Sequence, residues 1–182
     1  MRVLVLGLGL QGKAVVHDLA GHDSLEEIVV ADMDAVAARA HLERKGYARC
    51  RAVGLDATRE AELAALIREV APQVTVCMLP PDFNHPVARA AVTAGSHFVS
   101  SSYTGRVAEL DAEARGKGRI VLPEMGMDPG IDLILGRLAV DALDEVHGLY
   151  SYGAGLPEPA CAGDNPLHYK ITWTFEGVLK AY

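Results

Sequence analysis

The sequence predicts an α/β fold, a doubly wound parallel sheet. Three observations lead there. Short apolar runs alternate with helical stretches from residue 3 to residue 122, a glycine-rich turn separates the first run from the first helix, and an acid closes the second run. Strands that alternate with helices of about ten residues are joined by crossovers, which makes the sheet parallel and covers both of its faces.

Residues 3–6 are a continuous apolar run bounded by Gly7, after which Val15, Val16, Leu19 and Ala20 recur at helical spacing from Gln11 to Gly21. The next run, 28–31, ends at Asp32, and Asp34 is placed to cap a helix carrying Val36, Ala37, Ala40 and Leu42 as far as Gly46. The same reasoning gives strands at 50–55, 74–79, 97–101 and 119–122, with helices at 60–70, 84–94 and 108–115 between them. About six strands is the size of a doubly wound domain.

Beyond residue 122 the pattern changes. A helix is expected from Pro129, with Asp128 as its N-cap and the proline at the first helical position. Residues 146–154 read as a strand with partly polar alternation, 156–166 are rich in proline and glycine, and 169–175 read as another strand. The expected organisation is a doubly wound domain over 1–123 and the start of an incomplete α+β domain over 124–182. So short a second segment is too small for an independent core of ordinary size, so the chain reads as the front part of something longer, or as one that takes strands from a second copy in a homodimer.

Composition limits the partners. Half of the residues are apolar and the net charge is −7, which argues against nucleic acid or an anionic membrane surface, because phosphate binding rests on clustered Lys and Arg. Cys50, Cys77 and Cys161 form no metal-like pair and read as reduced, so no metal centre is expected. The apolar run at 3–6 is far too short for a leader or a membrane span, and the expected location is the cytoplasm.

Gly7, Gly9 and Gly12, with Leu10 and Gln11 between the last two, have the G-x-G-x-x-G spacing. Each glycine answers a separate demand: the turn off the strand, the approach of main chain to a pyrophosphate, and close packing of helix on sheet. The helix N-terminus then offers free N–H groups to the phosphates. Asp32 lies twenty residues after Gly12 at the end of the second strand, where a carboxylate accepts ribose hydroxyls and repels a 2′-phosphate. The cofactor is therefore read as NAD, with NADP left open because Arg39 is on the next helix. Asp56 at the end of the third strand, and Met78, Leu79 and Pro80 at the end of the fourth, line the expected crevice; capping and loop stiffening explain them almost as well. On these residues alone, a nucleotide-sensing module without chemistry also stands.

Outside the glycine motif, Ser101-Ser102-Tyr103, the run Glu124 to Asp132 around Asp128-Pro129-Gly130, Ser151-Tyr152-Gly153-Ala154-Gly155-Leu156-Pro157, Asp164-Asn165-Pro166-Leu167, and Asn84-His85 make the chain resemble the glutamate-forming branch of the saccharopine dehydrogenase family. The resemblance implies a Rossmann-type domain followed by a substrate domain. It also implies an NAD(P)-dependent oxidoreductase that oxidises the CH–NH group of saccharopine to an imine, which water splits into glutamate and aminoadipate semialdehyde. The small-molecule partner is then an amino acid.

Such chemistry needs a base, a means of orienting water, and groups that bind carboxylates. The resemblance places Tyr103 and Asp128 at the substrate as catalytic candidates. Ser101, Ser102 and Lys170 are candidate substrate contacts, against the plainer readings of loop hydrogen bonding for the serines and a solvated lysine. His85 is read as an ordinary first-turn histidine, and His168 stands where the family usually has glycine. Gly153 stands where the family commonly has cysteine, so lysine 6-dehydrogenase chemistry, which also turns an amine into an imine, is the competing enzymatic reading.

Overall fold

The computed structural model describes residues 1–164, 166 and 168–170. The chain divides into two compact units, Met1–Ile131 and Asp132–Tyr182.

The first unit is a six-stranded sheet in the order β3-β2-β1-β4-β5-β6. The strands are β1 (Arg2–Leu6), β2 (Glu27–Asp32), β3 (Cys50–Gly54), β4 (Val74–Cys77), β5 (His97–Ser100) and β6 (Val121–Leu122). Every neighbouring pair is parallel. This is a Rossmann-like fold, and its strand order reverses between β1 and β4, which opens a crevice at the carboxyl ends of those strands.

Side chains of a strand alternate between faces, and the core follows that rule. Leu4 and Leu6 of β1 and Val29 of β2 point to one side, where they pack with Leu63 and Ile67 of α3 (Glu60–Val70), with Val87 and Ala91 of α4 (Asn84–Thr93), and with Phe98. Val3, Val5, Ile28 and Val30 point to the other and meet Val16 of α1 (Leu10–Ala20) and Ala38 and Leu42 of α2 (Ala35–Lys45). Phe98, Leu4, Leu6 and Ile28 are fully buried, each contributing about 1.5–3 kcal/mol of transfer free energy.

The helix ends explain themselves locally. Asp34 caps α2 by accepting from the Ala37 N–H at 2.9 Å, as expected, and Gly46 ends it in the left-handed region at φ 67°. Acidic Glu60 and Glu62 open α3 and Arg68 lies in its last turn, matching the helix dipole.

Several boundaries shift. β4 stops at Cys77, two residues short of the expected end, because two prolines follow and Pro81–Phe83 turns into a 3-10 helix. The helix expected at 108–115 is a 3-10 segment, Gly105–Leu110, followed by the short α5 (Asp111–Gly116). β6 keeps only Val121 and Leu122, with Pro123 closing it.

Larger corrections fall after residue 122. The helix α6 (Ile131–Asp141) starts two residues later than expected, since Gly130 sits at φ 149°, outside the helical region. Asp128 is therefore no N-cap, and Pro129 is not the first helical residue. Residues 146–154 are irregular and not a strand: a strand persists by pairing, and no partner strand lies beside them among the described residues. Of the strand expected at 169–175, Tyr169 and Lys170 are irregular and 171–175 lie outside the described residues. Besides most of α6, the second unit holds a 3-10 turn at Pro159–Cys161 and a main-chain bond from Lys170 N–H to the Gly155 carbonyl at 2.9 Å.

Candidate active site

The glycine turn is built into the mouth of the crevice. Gly7 has φ 92°, and its N–H donates to the Ala31 carbonyl at 2.8 Å, so the turn remains pinned to β2. A Cβ on Gly12 would lie 2.1 Å from the Gly7 carbonyl oxygen, an impossible contact that only glycine avoids. A Cβ on Gly7 would sit 2.9 Å from the carbonyl oxygen of Met78, which puts the end of β4, with Leu79 alongside, against the turn.

Around Gly9 the situation reverses: a Cβ there would meet nothing within 4 Å, and open space lies against the main chain. Gly9 is also the N-cap of α1 and provides no side-chain cap, and no acidic residue occupies the first turn. The first amides of α1, from Leu10, Gln11 and Gly12, therefore keep their donor capacity for an anion. The pyrophosphate of a dinucleotide fits this arrangement.

Asp32 is half-buried at the end of β2. One carboxylate oxygen accepts from the Leu8 N–H at 2.7 Å and the other from the Asp34 N–H at 3.0 Å. Asp56 is engaged by its own loop, accepting from the Thr58 N–H at 3.0 Å and the Thr58 hydroxyl at 2.5 Å; those bonds hold its carboxyl below the usual range. Pro80 is exposed at the crevice rim after β4.

Facing the turn is a second constellation, made by the loops that follow β5 and β6. The Glu124 N–H donates to the Ser102 carbonyl at 3.0 Å and the Met125 N–H to the Ser100 carbonyl at 2.9 Å. The Thr104 N–H donates to the Glu124 carboxylate at 2.9 Å. These bonds align Tyr103 with Asp128, whose carboxylate accepts from the Tyr103 hydroxyl at 3.0 Å. Ser101 donates to the Gln11 side-chain oxygen at 3.3 Å, tying this loop to the first turn of α1.

The Asp128 turn is itself closed by the Gly126 N–H donating to the Pro129 carbonyl at 3.0 Å, and its Asp128–Pro129 peptide bond is cis. A Cβ on Gly130 would lie 2.1 Å from the Gly126 carbonyl oxygen and 2.6 Å from that of Glu124.

Two residues join the site that the sequence did not single out for it. Glu124 takes a left-handed backbone at φ 62° and supplies the carboxylate that holds Thr104. Asn84 is buried at the start of α4 and its amide donates to the Tyr103 carbonyl at 3.4 Å. The Asn84 side-chain oxygen and the buried hydroxyl of Ser100 have no hydrogen-bond partner among the described residues. Both atoms are buried, so each leaves polar capacity that an ordered water would satisfy.

His85 does not come to this place. It lies in the first turn of α4, its ring 3.7 Å from the Glu109 carboxylate. Lys170 belongs to the second unit, where its side chain is exposed. Among the described residues no group of His, Cys, Asp and Glu is arranged to hold a metal ion.

Comparison with known proteins agrees in sequence and in structure. The saccharopine dehydrogenase NADP binding domain matches residues 3–122, and the saccharopine dehydrogenase C-terminal domain matches residues 126–182. The chain is 34% identical to the NADP(+), L-glutamate-forming saccharopine dehydrogenase of Saccharomyces cerevisiae, over 98% of this chain and 40% of the yeast one. It is 35% identical to the mitochondrial alpha-aminoadipic semialdehyde synthase of Bos taurus, again over 98% of this chain but 19% of the bovine one. The structure of the apo yeast enzyme superposes with a TM-score of 0.76 over 98% of this chain and 40% of that one. Biliverdin reductase from Synechocystis, at 20% identity and a TM-score of 0.52 over 67% of this chain and 37% of its own, shares the fold alone. The chain thus spans about two fifths of the yeast relative's length, and on both of its matched segments it belongs to the saccharopine dehydrogenase family.

Proposed function

We propose that this chain is the cofactor-binding domain, residues 1–123, and the beginning of the substrate domain, from residue 124, of a nicotinamide-dependent oxidoreductase acting on the CH–NH group of an amino-acid substrate of the saccharopine type. One observation carries the reading. The Ser101–Gln11 hydrogen bond joins the glycine turn to the loop bearing Tyr103, so the cofactor candidates and the Tyr103–Asp128 pair share one crevice.

Gly7, Gly9, Leu10, Gln11 and Gly12 would hold the pyrophosphate, and Asp32 the adenosine ribose. A nicotinamide held there would supply the acceptor for the hydride on the carbon next to the substrate nitrogen. The remaining work belongs to the chain. A secondary amine gives up its hydride only as the neutral base, so a proton must leave the nitrogen first. The Asp128 carboxylate receives that proton, and the Tyr103 hydroxyl holds the carboxylate in place through its 3.0 Å bond. The same pair then orients the water that adds to the imine carbon; both of its protons pass to the nitrogen as the resulting carbinolamine collapses, which breaks the C–N bond and releases glutamate and an aldehyde. Ser101 and Ser102 stand at the loop where a substrate carboxylate would seek donors, and Lys170 is assigned a carboxylate in the completed substrate domain.

Support comes from relatives named for this chemistry in yeast and from the fit of the turn to a dinucleotide. Gly153 replaces the expected cysteine, so lysine is included as a second substrate. The test supplies a full-length form with saccharopine or lysine and NAD or NADP, and follows the absorbance of the reduced nicotinamide. Reduction with saccharopine supports the proposal, and reduction with lysine alone moves the substrate assignment. Cofactor binding without turnover of either substrate identifies a nucleotide sensor instead. No helix among the described residues is long and apolar enough to cross a membrane, and we place the protein in the cytoplasm, which fractionation would check.

A further inference from the structure

We infer that this chain selects NAD over NADP, with Asp32 as the specificity-determining residue, although its yeast relatives carry NADP in their names. The inference rests on the cofactor site proposed above and deepens it.

The Asp32 carboxylate is held from both sides, one oxygen by the Leu8 amide at 2.7 Å and the other by the Asp34 amide at 3.0 Å. A carboxylate anchored to two main-chain donors cannot swing away from an incoming anion. An ionised carboxylate has about four lone-pair sites, so after those two bonds it still accepts from ribose hydroxyls. A phosphate in place of the 2′-hydroxyl brings negative charge against negative charge.

The residues that follow add no positive charge. Met33 and Asp34 follow, and the Asp34 carboxylate is occupied in capping α2, so two acids stand within three residues at the site where a 2′-phosphate would arrive. The first turn of α2 contains Ala35, Val36, Ala37 and Ala38 and no cation. A cleft of about 330 Å³ runs beside Asp32 and Asp34, lined also by Lys13 of α1 and by His41 and Arg44 of α2. Cations line this same cleft from the first turn of α1 and the last turn of α2. Arg44 is in the last turn of α2, and its guanidinium is engaged with the His41 ring at 3.1 Å. Burial first, and then the charges of Arg44, Lys13 and Lys45, push the His41 imidazole below its ordinary range, which disfavours its charged form. Arg39 lines a different cleft, with Tyr47 and Arg51 at the β3 edge. Lys13 is the one cation of this cleft contributed by the first turn of α1.

Calorimetric titration of the 182-residue chain with NAD, NADP, ADP-ribose and 2′-phospho-ADP-ribose tests the inference on binding alone. NAD and ADP-ribose should each bind at least tenfold more tightly than their 2′-phosphorylated counterparts, which is about 1.4 kcal/mol. In the double variant Asp32→Ser, Met33→Arg the ratio should fall at least tenfold, with a melting curve to confirm folding. Met33→Arg alone leaves the Asp32 anchors intact, since Met33 is 75% exposed, and should narrow the ratio by less. Equal or tighter binding of the phosphorylated ligands, lost on Lys13→Gln, would overturn the selectivity and name Lys13 as the phosphate ligand. A folded double variant with an unchanged ratio would overturn the assignment to Asp32. Failure of all four ligands to bind would overturn the cofactor site and this inference together, an outcome distinct from binding without discrimination.

Discussion

The two halves of the crevice are both made by turns that only glycine permits, yet they are held in different ways. The turn from Gly7 to Gly12 is fixed by main chain and by the sheet: Gly7 hydrogen-bonds Ala31, Leu8 hydrogen-bonds Asp32, and Gly12 packs on the Gly7 carbonyl oxygen. The turn from Gly126 to Gly130 is crowded in the same sense, with 2.1 Å between a hypothetical Gly130 Cβ and the Gly126 oxygen. Its link to the sheet runs instead through the Glu124 and Met125 amides and two side-chain bonds, Thr104 to Glu124 and Tyr103 to Asp128. The first turn is part of the core, and the second is a polar assembly placed on its edge. A dinucleotide needs an unyielding rest, whereas proton transfer needs groups whose charge can change, and the two constructions suit those demands.

Substitutions that act on one turn and spare the other would sharpen this contrast. The largest effect is expected for Gly12→Ala, where the new methyl must force α1 away from β1; overpacking of this severity costs about 3 kcal/mol, read from urea unfolding, and dinucleotide affinity should disappear with it. Next comes Asp128→Ala in a full-length form, which should lower turnover about 100-fold, within the span for loss of a general base, while the dissociation constant for the dinucleotide stays within about twofold. An unchanged rate would remove Asp128 from the chemistry. Gly130→Ala should destabilise by about 2 kcal/mol, because φ 149° belongs to glycine, and it should reduce turnover without weakening dinucleotide binding. If it weakens the dinucleotide as much as Gly12→Ala does, the two turns are mechanically one unit and the contrast fails.

The smallest effect concerns pH. His41, with its pKa lowered chiefly by burial, is protonated more readily in the unfolded chain than in the folded one. The unfolded state then binds more protons below the ordinary imidazole value of 6.5, so stability is fully present above that pH and declines as pH falls beneath it. Urea midpoints at pH 7.5 and 5.5 should differ in that direction, and His41→Leu should flatten the difference.

How much of this was legible depended on whether a local rule governed the residue. The sheet from β1 to β5 and the glycine turn follow from apolar period, glycine spacing and the acid after β2, all of which act over short distances. The second turn followed a longer-range logic. Asp128-Pro129 has the sequence of a helix start, but Gly130 departs from helical dihedrals, and the segment closes on Gly126 instead. Residues 146–154 alternate as a strand does, and alternation cannot reveal whether a partner strand exists. Glu124 and Asn84 acquire their places only through Thr104 and Tyr103, about 20 residues away in each case, which no pattern within one element encodes. Such long-range side-chain contacts are set by tertiary packing rather than by propensity.

The thiol of Cys77 turns this architecture into a clock. It sits on β4, hydrogen-bonded between β1 and β5, is 2% exposed, and is pushed up to about 11 by burial, while Cys161 lies exposed on the other unit. A maleimide added at neutral pH would consume the exposed Cys161 first and the half-buried Cys50 next, and reach Cys77 only in the moments when the middle of the sheet parts. The slow phase of labelling would therefore count those partings directly, and a ligand seated on the glycine turn would lengthen it.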